Sequence, residues 1–143
     1  MTLVKYASNG LLEDMATKWI TGSTFKLMLL SDQYTPSEEH RFRSEVAAYE
    51  ISGTGYSSGG ASITFTVGSI DQTNNLLYIT CPGANWPSST ITAKFAWAYR
   101  AVGTTATDRL IGLFQLGENS ISTTGTTFSI GPMRIPVSNL GVV

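Results

Sequence analysis

The sequence predicts a mainly β fold of about seven strands, closed as a sandwich or barrel in which jelly-roll-like wrapping is one arrangement, with one α-helix at its N-terminal end. Three observations predict it. From Ala61 onward, short runs of alternating apolar and polar residues are separated by clusters of Asp, Asn, Gly, Pro, Ser and Thr. Before that point only one stretch, GLLEDMATKWI, carries apolar residues at spacings of three and four. Finally, only 13% of residues are charged, about half the average for soluble domains, and Ser and Thr fill roughly a quarter of the chain.

The helix is expected over about residues 9–20. Ser8 or Asn9 caps it, Glu13 and Asp14 favour its N-terminal dipole, Lys18 its C-terminal end, and Thr21-Gly22 stops it. Leu11, Leu12, Met15, Ala16 and Trp19 form the stripe expected to lie on a sheet. TFKLMLLS is nearly continuously apolar and reads as a strand buried on both faces. DQYTPSEEHRFRS, residues 32–44, is the most charged part of the chain, with a short helical turn expected from Ser37. SITFTVGS and NLLYITCP flank the turn cluster DQTNN and read as a hairpin. PGANWPSS reads as a loop holding Trp86. ITAKFAWAYR and RLIGLFQL are strands, GENSISTTGTT is a polar loop, and TFSIGPMRIPV closes the fold as one strand or two. Pro132 and Pro136 place those last strands at an edge or a bulge. The expected organisation is one domain over 1–143, with the β part spanning about 24–138.

The stretch EISGTGYSSGGAS raises the question of a phosphate site. A P-loop needs Lys and Ser or Thr after its last glycine, and here Ala61 and Ser62 follow Gly60. The dinucleotide fingerprint needs a third glycine where Ser58 stands, and a helix where a strand follows. Gly53, Gly55, Gly59 and Gly60 are therefore read as a structural connector, with Tyr56 pinning it by a ring in the core and a hydroxyl on a backbone group.

Chemistry is scarce. His40 is the only histidine and Cys81 the only cysteine, so neither a His-rich metal site nor an intrachain disulfide is expected. Adjacent acidic pairs diverge on a helix or a strand. No catalytic set, metal site or cofactor site is expected. Sparse Lys and Arg argue against a nucleic-acid groove, and no apolar run has the length of a membrane span. Trp86 has two readings, as a ring folded over its own core or as an anchor in a partner's pocket.

KLMLLSDQYTPSEEHRF, EVAAYEISGTGYSSGGASI, the D-x-x-N-N turn, ANWPSSTITAKFAWAYR and TTATDRLIGLFQLGENSISTTGTTFSI together resemble a family of small virion structural proteins of tailed bacteriophages. The likeness runs over roughly Phe25 to Ile130. Two places depart from the pattern: QLG at Gln115–Gly117, followed by Glu118, and the tail GPMRIPVSNLGVV. Some family members look like capsid cement or decoration proteins. The resemblance therefore implies a jelly-roll-like β-sandwich without enzymatic activity. It would bind the major capsid protein on the exterior of an HK97-type shell after synthesis in the bacterial host cytoplasm.

On this reading a homo-oligomer, dimer or trimer, is expected, because several simultaneous contacts slow release from a shell. The expected contact residues are Trp86, the loop carrying Glu38, His40 and Arg41, and the two termini. The competing expectation is a tail- or fibre-associated module that binds a receptor or glycan, with Trp86 and Tyr34 stacking on sugars. Copy number per particle separates the two.

Overall fold

The computed structural model describes residues 8–138 and is mainly β, with one helix near the N-terminal end and several antiparallel sheets. The chain groups into two compact units: Met1–Ser23, Phe65–Pro82 and Pro132–Val143 form one, and Thr24–Thr64 with Gly83–Gly131 form the other.

In the first unit the helix α1 runs over Asn9–Ile20, with the Ser8 side chain accepting a hydrogen bond from the Leu11 N–H. It packs against a three-stranded sheet of β3 (Thr66–Asp71), β4 (Leu76–Cys81) and β11 (Met133–Ser138), in the order β11-β4-β3. The face turned to the sheet is only part of the expected stripe. Leu12, Ala16 and Ile20 are half-buried, while Leu11 and Met15 are 49% and 60% exposed. Glu13 and Asp14 fall outside the first turn, and Asp14 instead pairs with Lys18 at 3.4 Å. The hairpin turn is as expected: the Asp71 carboxylate accepts from the N–H groups of Thr73 and Asn74 and from the Asn74 amide. Those donors, led by the Asn74 side chain, hold it below the usual carboxylate range. Cys81 is buried, and Pro136 lies in the edge strand β11, where a missing N–H costs little.

In the second unit a four-stranded sheet is ordered β2-β1-β7-β8, with β1 at Thr24–Leu30, β2 at Ala61–Ile63, β7 at Phe95–Ala101 and β8 at Arg109–Gln115. β1 and β7 pair along their whole length, Thr24 opposite Ala101 through Leu30 opposite Phe95. Both are buried on both faces, which explains the continuous apolar reading of TFKLMLL and the buried alanines Ala96 and Ala98. One face carries Met28, Leu30, Phe95, Trp97 and Tyr99, closed by Tyr34 and Val46. Two pairs of short strands complete the unit. β5 (Ala84–Ser89) pairs with β10 (Thr126–Ile130), and β6 (Thr92–Ala93) pairs with β9 (Ile121–Ser122).

Several expected elements fall differently. SITFTVGS is not one strand, because the chain leaves β2 at Ile63 and enters β3 at Thr66, in the other unit. ITAKFAWAYR breaks at Lys94 between β6 and β7. The turn expected from Ser37 is a single hydrogen-bonded turn, in which the Ser37 carbonyl accepts from the His40 N–H and its hydroxyl from the Glu39 N–H, and two 3₁₀ turns follow at Arg43–Glu45 and Ala47–Tyr49. PGANWPSS is a strand rather than a loop. Ala84 and Trp86 face inward, and Pro87 and Ser88 fall where the register slips against β10, a place that tolerates proline.

Candidate functional site

Two clusters of polar side chains stand out, both in the second unit. The first is built by the glycine connector. Gly60 and Gly55 have φ of +80 and +84, and a β-carbon on Gly60 would collide with the Leu27 carbonyl. The connector thus lies directly on β1. Tyr56 fixes it: its hydroxyl accepts from the Leu29 N–H at 3.0 Å and donates to the Glu50 carboxylate at 2.6 Å, and its ring lies 6.1 Å from that of Trp86. Glu50 also accepts from the Gly59 N–H at 2.7 Å and from the Ser58 hydroxyl at 3.2 Å. Burial, then the hydrogen bond to Glu50, pushes the Tyr56 phenol far above its ordinary range.

Arg43 joins this cluster to β8. Its guanidinium lies 3.8 Å from Glu50 and 3.3 Å from Asp108, with its centre 5.1 Å from the Tyr99 ring centroid. Tyr99 donates to the Gly59 carbonyl at 2.6 Å, and burial pushes its phenol up to about 12. Asp108 is 3% exposed. Burial opposes its charge, yet the N–H groups of Val102 and Gly103 and the Arg43 guanidinium hold the carboxyl below its usual range. Both carboxylates are therefore saturated with donors. The cluster locks the connector to the sheet and presents no free base.

The second cluster is the charged loop. Trp97 Nε1–H donates to the Tyr34 hydroxyl at 3.1 Å, and that hydroxyl meets His40 Nδ1 at 2.8 Å. An indole nitrogen only donates, so Tyr34 accepts from Trp97, and the direction of its bond with His40 follows the imidazole tautomer. The Tyr34 ring sits 5.5 to 5.6 Å from those of His40, Tyr49 and Phe95. Glu45 closes the segment by accepting from the N–H groups of Arg41 and Phe42 at 2.9 and 2.8 Å, which lowers its pKa. Glu38 and Arg41 are left exposed, and the guanidinium centres of Arg41 and Arg109 lie 5.4 and 4.6 Å from the Phe42 ring centroid. A groove of about 570 Å³ runs beside this loop, bordered by Pro36, Glu38, His40, Trp97, Leu110 and Leu113.

Of the expected contact residues, Glu38, His40 and Arg41 thus lie on one segment, held by the Tyr34–His40 bond and by Glu45 accepting from the Arg41 N–H. Trp86 does not join them. It is 4% exposed, packed against Tyr56 and Phe128, and serves as core rather than as a surface anchor. Tyr34, 3% exposed, is likewise closed to a sugar. The expected terminal contacts are the first few residues and the last ten; 1–7 and 139–143 lie outside the described residues, and 134–138 belong to the edge strand β11. Sequence reasoning missed the edge of β8 as part of this surface. The signal was present in RLIGLFQ, an apolar run with no proline and no lysine.

A second groove of about 590 Å³ is lined by Glu50, Ser52, Thr90, Thr92, Ser122 and Thr124. Among the described residues no group of three or more His, Cys, Asp or Glu side chains is placed to hold a metal ion, and no helix is long and apolar enough to cross a membrane. Comparison with protein-family models, curated proteins and solved structures gave no significant match.

Proposed function

We propose that this chain is a non-enzymatic structural protein of a tailed-phage virion that binds the outside of an assembled HK97-type shell and stabilises it. The sequence resemblance over Phe25–Ile130 suggests the class. The structural observation that supports it is the Glu38–Arg41 segment, exposed at its tips and fixed beneath by the Trp97–Tyr34–His40 chain. A contact segment ordered before it meets its partner loses little conformational entropy on binding. A ligand that binds only the assembled shell stabilises that form by mass action.

A tail- or fibre-associated module with receptor or glycan binding is the second reading. Its support is the hydroxyl-lined groove around Ser52, Thr90 and Thr124, although the aromatic platforms first expected for it, Trp86 and Tyr34, are buried.

Quantitative mass spectrometry of purified virions separates the two. A ratio to the major capsid protein near one to one, or a simple fraction of it, is expected for shell cement. A ratio below about one in ten moves the protein to the tail or fibre, because few copies fit there. Absence from virions defeats both readings.

A further inference from the structure

The β8 edge of the four-stranded sheet is paired only at its start. Leu29 turns its N–H and C=O away from β7, to the Tyr56 hydroxyl and the Ile51 N–H. Its cross-strand partner Ala96 therefore directs its own groups toward β8, where it faces Phe114. By alternation, Leu113 and Gln115 point their N–H and C=O groups off the sheet. The start of the same edge is covered: Arg43 N–H donates to the Asp108 carbonyl and Leu110 N–H to the Arg41 carbonyl, both at 2.9 Å. Beyond it β8 bulges at Ile111, since Ala98 faces Gly112 and Tyr99 faces Leu110, and the remaining stretch Leu113–Gln115 has no proline, lysine or further bulge, the usual devices that blunt an edge.

We propose that this edge pairs with the β8 edge of a second copy of the chain, antiparallel and centred on Leu113. A twofold interface must be self-complementary, and this register is. It sets Leu113 opposite Leu113, where each N–H meets the other's C=O. It sets the half-buried Phe114 of one copy opposite Gly112 of the other, where no side chain obstructs the ring. It also carries Glu118 of one copy past Gln115 toward the Arg41–Phe42–Arg109 stack of the other. Glu118 is exposed, and among the described residues neither Arg41 nor Arg109 has a carboxylate within ion-pair distance. The charges are therefore complementary at both ends of the pairing. This inference does not depend on the proposed function.

Sedimentation velocity of the full chain over a concentration series tests it. A monomer–dimer equilibrium within about 1–100 µM is expected. Glu118→Arg should weaken the dimer about tenfold, and adding Arg109→Glu to that variant should restore it. Gln115→Pro, which removes one off-sheet N–H, should also weaken it. The charge variants alter exposed side chains, so loss of fold does not confuse the result. A chain that stays monomeric throughout overturns the proposal and leaves the edge to a strand from a different protein. A dimer indifferent to both Glu118→Arg and Gln115→Pro overturns it as well.

Discussion

The two edges of the four-stranded sheet are finished in opposite ways. On the β1 side, β2 covers Phe25–Leu27, and the connector continues where β2 ends. Tyr56 caps the Leu29 N–H, the Ile51 N–H takes the Leu29 carbonyl, and Gly60 lies on the Leu27 carbonyl. On the β8 side only the stretch from Asp108 to Leu110 is capped. The difference teaches that a glycine-rich loop can serve as an edge cover. Its backbone comes close enough to a strand to replace a neighbour, which a loop with side chains could not do.

The sharpest way to break the sealed side is Gly60→Ala. The new β-carbon meets the Leu27 carbonyl and holds a φ of +80 that alanine resists. A loss above about 3 kcal/mol is expected in chemical denaturation. Tyr56→Phe is milder. It leaves the ring against Trp86 but strips the Leu29 N–H and Glu50 of their shared partner, for a loss of about 1–3 kcal/mol.

The smallest effect is one of pH and concerns the link between the two sides, Arg43–Asp108. The folded pKa of Asp108 lies below its unfolded value near 3.8. Its contribution is therefore present above that value and is lost as pH falls through the lower, folded pKa. Denaturation midpoints should drop below about pH 4, and Asp108→Asn should flatten that slope while lowering stability at neutral pH.

The elements legible in the sequence were those with local punctuation. Ser8 and Gly22 bracket α1, Asp71–Asn75 marks the hairpin, and RLIGLFQ needs no neighbour to be read as a strand. The Tyr56 pin was legible because a lone aromatic among glycines has little else to hold it. Non-local features were not legible. α1 carries two adjacent apolar rows, Leu11–Met15–Trp19 and Leu12–Ala16–Ile20, and periodicity does not choose between them. Alternation continues unbroken through Thr64 and Phe65, where the chain changes sheets. Pro87 disguised β5 as a loop, because the slip that accommodates it is set by pairing with β10. The Arg43–Asp108 pair spans 65 residues, so no local pattern announces it.

Amide hydrogen exchange, followed residue by residue at two protein concentrations, tests the contrast between the edges most directly. In dilute solution Leu29 and Ile51 should be strongly protected, while Leu113 and Gln115 exchange rapidly. At high concentration Leu113 and Gln115 should become protected and Leu29 should not change. Protection of Leu113 and Gln115 equal to that of Leu29 even in dilute solution would contradict it, since the β8 edge would then be sealed within a single chain.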